Sequence, residues 1–106
     1  MPERAIEGSV FRAISDPTRR AILDRLRAGP VPVNELASAF DKSRPAISKH
    51  LRVLREAGVV SEQRHGRLRL YRLEPVELQK VCDWILPYRS FWQASLGNLK
   101  TYLESE

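Results

Sequence analysis

The sequence predicts a mainly α-helical domain with one small β-hairpin, in the order α-α-α-α-β-β-α, with a long or kinked last helix. Three observations carry this prediction. Apolar residues recur every three or four positions from Ile6 to Ala57, the spacing drops to two after Gly58, and helical spacing returns from Val76 onward. At 106 residues the chain fits one domain, 1–106, with a single core and no room for a separate catalytic domain. A domain of this size buries only about two-thirds of the surface its unfolded chain exposes, so a self-associating face would help to stabilise it.

Ile6, Val10, Phe11 and Ile14 form the stripe of a first helix over about residues 3–14. Asp16-Pro17-Thr18 places an N-cap acid before a proline at the first helical position. The second helix then carries Ala21, Ile22, Leu23 and Leu26 until Ala28-Gly29-Pro30 stops it. A short third helix runs from Val33 to Phe40 with Leu36, Ala37 and Phe40 on one face, and Asp41-Lys42-Ser43 turns the chain. Ser43 is the expected N-cap of a fourth helix from Arg44 to about Ala57 that ends at Gly58, with Pro45 in its first turn, where a missing N–H costs nothing. Two helices joined by so short a turn make a helix-turn-helix.

Past Gly58, Val59-Val60, Leu68, Leu70 and Leu73 alternate with charged residues around Arg64-His65-Gly66-Arg67, the pattern of a hairpin with its tip near His65-Gly66. Glu74-Pro75 ends the second strand. A hairpin directly after a helix-turn-helix is a wing, so the whole reads as a winged helix-turn-helix. The last stripe holds Leu78, Cys82, Ile85, Trp92, Leu96, Leu99 and Leu103, widened by Trp84, Tyr88, Phe91 and Tyr102, and Pro87 should kink or split that helix near Leu86. Cys82 lies on the stripe and is expected to be a buried structural residue.

Charge locates the partner. Residues 42–72 hold nine basic groups against two acidic ones, whereas the flanking segments are neutral or mildly acidic. A basic stripe confined to one segment is the footprint of a polyanion partner. In the fourth helix Ile47, Leu51 and Leu54 gather on one side, leaving Pro45, Ser48, Lys49 and Arg52 opposite and Arg44 and Arg55 flanking them. Ser43, Arg44, Pro45, Ser48, Lys49, His50, Arg52 and Arg55 are therefore the candidates for contact with double-stranded DNA through the major groove. Arg44, Ser48, Lys49 and Arg52 are placed for base edges and nearby phosphates, Ser43 and Arg55 for phosphates, and His50 borders the core. Arg64, His65, Gly66, Arg67 and Arg69 form an arginine-rich tip suited to a minor groove or its phosphates.

The run Phe11-Arg12-Ala13-Ile14-Ser15-Asp16-Pro17-Thr18-Arg19-Arg20-Ala21-Ile22-Leu23, then Val33-Asn34-Glu35-Leu36-Ala37, Ser43-Arg44-Pro45-Ala46-Ile47-Ser48-Lys49-His50-Leu51, and Gly66-Arg67 leading to Tyr71-Arg72-Leu73 resemble the ArsR-type winged-helix repressors over about residues 5–75. The resemblance implies that the third and fourth helices read DNA, that the terminal helices pair two protomers, and that the homodimer represses by covering an operator. Many members of that family sense metals. The positions matching its thiolate pair are Pro32 and Asn34 here, and both histidines, His50 and His65, lie in the DNA-binding region rather than on the last helix. One cysteine and two separated histidines assemble no zinc-like site, so neither a metal nor any other cofactor is expected. The inducer, small molecule or protein, is left open.

The dimer interface is expected from Ile6, Val10, Phe11, Trp84, Tyr88, Phe91, Trp92, Leu96 and Leu99, on helices over about residues 3–14 and 76–104. A two-fold dimer doubles the contacts of one half-site and demands a palindromic operator. No apolar run is long enough to span a membrane and Met1-Pro2-Glu3-Arg4 opens a polar segment, so the expected location is cytoplasmic. The sequence has no paired nucleophile and base, phosphate-cradling glycine loop or metal cage, which argues against an enzyme. The alternative is a winged-helix interaction module that turns the same basic surface toward an acidic protein.

Overall fold

Helix starts and stops fall where the capping residues put them in a computed structural model, which describes residues 9–94 and residue 104. Residues 9–13 are helical (α1) and give way to a turn at Ile14-Ser15. Helix α2, Pro17–Leu26, is capped by the Asp16 carboxylate, which accepts from the Arg19 N–H at 3.0 Å. That bond is also the main reason the Asp16 carboxyl is held below its ordinary range. Helix α3 is Val33–Ala39, and α4, Arg44–Glu56, is capped by Ser43 Oγ, which accepts from the Ala46 N–H at 3.2 Å.

The end of α4 is a Schellman turn. Val59 N–H donates to Leu54 C=O at 3.1 Å and Gly58 N–H to Arg55 C=O at 3.0 Å, with Gly58 at φ +78°. A Cβ at Gly58 would also sit 3.2 Å from Glu77 Cγ, so this position favours glycine on two counts.

Strands β2, Val60–His65, and β3, Leu68–Leu73, pair antiparallel from Val60↔Leu73 to His65↔Leu68, which leaves Gly66-Arg67 as the loop. Gly66 takes φ +62° there while no other residue type in the described chain has positive φ, the pattern of a turn needing glycine at its first central position.

Two features depart from the expected order. Val31–Pro32 is a short strand, β1, that pairs with β3 (Val31↔Tyr71, Pro32↔Leu70), so the sheet has three strands in the order β1-β3-β2. Flanking prolines mask the strand in the sequence, and Pro32 is tolerated because it lies on an edge strand. The last helix starts late, though it is split where Pro87 was expected to split it: α5 is Gln79–Ile85, Leu86–Tyr88 tightens into a 3-10 turn around Pro87, and residues 89–94 are helical again (α6).

The core is fully buried Val10, Ile22, Leu26, Leu36, Ile47, Leu51, Leu54 and Val59, closed by Ala13, Leu23, Val31, Ala57, Val60 and Tyr71. Val10 thus belongs to the protomer's own core and not to a surface offered to a second copy. Cys82 is exposed rather than buried, on a side of α5 that the described residues leave open.

Candidate nucleic-acid interface

Helix α4 is fastened by one side only. Ile47, Leu51 and Leu54 are at most 1% exposed and pack against α2, α3 and β2. Because a helix turns 100° per residue, this forces Pro45, Ser48, Lys49 and Arg52 outward, and all four are exposed, as are Ser43, Arg44 and Arg55. The helix of 13 residues is about 20 Å long, enough to lie in a major groove.

Ion pairing sorts the nine basic groups of this segment. Arg52 is held by Glu56 at 3.1 Å, Arg55 and Arg69 by Glu62 at 3.0 and 2.7 Å, and Arg72 by Glu74 at 3.5 Å. Lys42, Arg44, Lys49, Arg64 and Arg67 have no carboxylate partner among the described residues. The uncompensated charge therefore lies at the beginning of α4 and at the wing tip, the two places that would meet phosphates.

Glu62 ties helix to wing. Its carboxylate accepts from Arg69 Nε and Nη2, from Arg55 Nη1 on α4, and from the Tyr71 hydroxyl at 3.1 Å. The Arg69 hydrogen bonds, helped by Tyr71 and the two guanidinium charges, outweigh partial burial and lower the Glu62 carboxyl from 4.5 to about 2. Burial first, then the carboxylate, pushes the Tyr71 hydroxyl up. A group whose folded pKa is depressed stabilises the fold above its unfolded value, and that contribution fades as pH falls toward the folded one. The Glu62 carboxyl, followed by carbon-13 NMR during acid titration, is expected to have its midpoint near 2; a midpoint near 4.5 would mean that the cluster is open in solution.

His50 is placed differently from its neighbours. Its Nδ1 lies 3.3 Å from Arg19 Nη1 and 3.9 Å from the Asp16 carboxylate, and its side chain is only 20% exposed. A guanidinium can only donate, so Nδ1 accepts. Arg19 also donates to the Ala13 and Arg12 carbonyls at 2.7 and 3.0 Å. His50 thus braces α4 against the corner between α1 and α2, in keeping with its place at the border of the core.

At the wing, Arg64, His65, Gly66 and Arg67 are all exposed, and Arg69 is exposed but bound to Glu62. Among residues expected to pair protomers, Phe11 is half-buried, while Trp84, Tyr88, Phe91 and Trp92 are exposed. Ile6, Leu96 and Leu99 lie outside the described residues. The sequence reading missed Glu62 and Arg19. Glu62 had a signal, as one of two acids among nine bases in its segment.

Comparison with known proteins adds four likenesses. The helix-turn-helix domain family matches residues 14–63. The transcriptional repressor SdpR of Bacillus subtilis is 44% identical over 80 residues, covering 76% of this chain and 89% of that protein. The HTH-type transcriptional regulator Rv2034 of Mycobacterium tuberculosis is 38% identical over 105 residues, covering 99% and 91%. Among solved structures, an ArsR-like transcriptional regulator from Rhodococcus sp. RHA1 superposes with a TM-score of 0.72 at 34% identity, with all of both chains covered.

Proposed function

Because the chain belongs to the ArsR family of winged helix-turn-helix transcriptional regulators, it is a DNA-binding regulator, and we propose that it is a cytoplasmic repressor that binds a palindromic operator as a homodimer without a metal cofactor. The observation that carries this reading is the division of α4 into a buried side, Ile47, Leu51 and Leu54, and a bare polar side, Ser48, Lys49 and Arg52. Arg44, Pro45, Ser48, Lys49 and Arg52 enter the major groove. Ser43 and Arg55 meet phosphates beside it, and the wing residues Arg64, His65, Gly66 and Arg67 reach the neighbouring minor groove.

The dimer is supported by a line of aromatic rings that the protomer leaves open. Phe11 meets Trp84 edge-on at 5.8 Å, Trp84 meets Tyr88 at 5.8 Å, and Tyr88 meets Phe91 at 6.5 Å. Trp84 is 58% exposed and Phe91 74%, a contiguous apolar patch of the kind that marks an association surface. The 17.2 Å radius of gyration, against about 13 Å for a compact domain of this length, fits a chain that completes its packing on a second copy. Phe11 of α1 and the exposed rings of α5, α6 and the turn between them pair the protomers, and the two copies of α4 then reach half-sites about one helical turn apart.

Pro32 and Asn34 offer no thiolate, and among the described residues no three His, Cys, Asp or Glu side chains gather as a ligand set. Nor is any described helix long and apolar enough to cross a membrane.

Selection from random duplex DNA, followed by gel-shift titration, tests the proposal. Arg52→Ala is expected to weaken operator binding by about 1–3 kcal/mol and relax preference at one base position, with the dimer still folded. Affinity should fall steeply with salt as phosphate contacts release counterions. A flat salt response, no selected motif and tight capture of an acidic protein would favour an interaction module instead.

A further inference from the structure

The wing and the start of the helix-turn-helix enclose a recess that two of the groove candidates, Arg44 and Arg67, also line. It has a volume of about 110 Å³ and is lined by Pro32, Asn34, Arg44, Arg67, Leu68 and Arg69. Five separate elements supply these residues, with Pro32 at the end of β1. Asn34 stands in the first turn of α3, Arg44 opens α4, Arg67 is in the hairpin loop and Arg69 is on β3. The pairing of Pro32 with Leu70 brings them together, because it lays the start of α3 along the base of the wing.

Three guanidinium-bearing residues and no carboxylate line this recess. Arg69 is aimed by Glu62, which grips its Nε and Nη2 at 2.7 and 3.1 Å. Neither Arg44 nor Arg67 has a hydrogen-bond or ion-pair partner among the described residues. The Arg69 charge is offset by Glu62, whereas those of Arg44 and Arg67 meet no carboxylate among the described residues, so an anion beside both is attracted by both. Guanidinium forks match the oxygens of a phosphate, and the Asn34 amide can add an uncharged N–H donor. Pro32 and Leu68 form an apolar wall that lowers the local dielectric and strengthens such contacts. The volume is several times the roughly 30 Å³ share of one water in the liquid, enough for a single tetrahedral oxyanion. Pro32 and Asn34 occupy the positions that match thiolates in the metal-sensing pattern, so the recess presents donors for an anion where that pattern would present acceptors for a cation.

We propose that this recess is an oxyanion site that takes one phosphate group, carried either by the DNA backbone or by a free phosphate. The DNA source rests on the operator-binding reading above, and the free-phosphate source does not. Two measurements on the full chain separate them. In the first, each operator phosphate in turn is replaced by a neutral methylphosphonate. One position per half-site is expected to cost the wild type about tenfold in affinity and to cost the Asn34→Ala/Arg67→Ala double variant nothing, while Arg64→Ala, altered on the wing outside the recess, keeps the tenfold sensitivity. In the second, inorganic phosphate is titrated against sodium chloride of equal ionic strength. A saturable shift of the Asn34 side-chain amide NMR signal, absent in Arg67→Ala, assigns the site to free phosphate.

Either positive result supports the site and names its source. If every methylphosphonate costs wild type and double variant alike, and phosphate shifts the Asn34 signal no more than chloride does, the proposal is overturned. Loss of operator binding by Arg52→Ala alongside that outcome would leave the regulator reading standing without the recess. A chain that selects no duplex at all would remove the DNA source, and the phosphate titration alone would then decide the site.

Discussion

Trp84→Glu is expected to convert the proposed dimer to monomer and to weaken operator binding by at least a hundredfold. In the protomer Trp84 is 58% exposed and, among the described rings, meets Phe11 and Tyr88, so the substitution removes little from the protomer's own core. In the dimer the effect is counted twice, because two-fold symmetry places each altered residue at an equivalent position. Each lost ring forfeits about 1.5–3 kcal/mol of burial, and each carboxylate must either be desolvated without a partner or hold the interface apart. Separated half-site readers also lose the avidity of a linked pair, worth a factor of about 10² to 10⁴. Sedimentation velocity and gel-shift titration read both parts. A Trp84→Glu protein that stays dimeric with full operator affinity would place the interface elsewhere, and Phe91→Ala, at a residue 74% exposed in the protomer, gives a milder check of the same face.

Leu54→Ala should lower stability by about 2–5 kcal/mol, the range for truncating a buried leucine where the cavity cannot collapse. Leu54 is fully buried on the anchored side of α4, and its carbonyl accepts the Val59 N–H that closes the Schellman turn. For a domain near this length each kcal/mol moves the melting temperature by about 4–8 °C, so a fall of at least 8 °C is expected. Leu68→Ala, at a residue 51% exposed on the wing, should stay within about 0.5 kcal/mol of the parent. Melts must be compared at one protein concentration, since association contributes to the measured stability. A Leu54→Ala melt within a few degrees of the parent would contradict the packing described for α4.

Most of the fold was legible wherever a few neighbouring residues decide the outcome. Asp16 with Pro17 and Ser43 with Pro45 mark helix starts because a side-chain oxygen and a missing N–H act within one turn. The split at Pro87 follows from its ring and missing N–H, and the Gly66 turn from its freedom at positive φ. The faces of α4 were readable for a related reason: a 3.6-residue period fixes which side chains share a side once the apolar ones are known to be covered.

Strand β1 was not legible, because two residues beside prolines carry no period of their own and become a strand only when β3 arrives to pair with them. Cys82 was misjudged because an apolar stripe does not say whether its cover comes from the same chain.

The amino-acid order by itself settled the series of helices, the change of period into the wing, the outward side of α4 and the segment that carries the excess charge. Each of these depends on capping, periodicity or composition, which act over a few residues along the chain. Only the folded arrangement decided that His50 leans on Arg19 from 31 positions away, that Glu62 draws Arg55 and Arg69 together, and that Asn34, Arg44 and Arg67 face one recess. Those relations are made by the β1-β3-β2 pairing and by α4 seated on its buried side, and no local pattern encodes which distant polar groups such packing will bring within reach of one another.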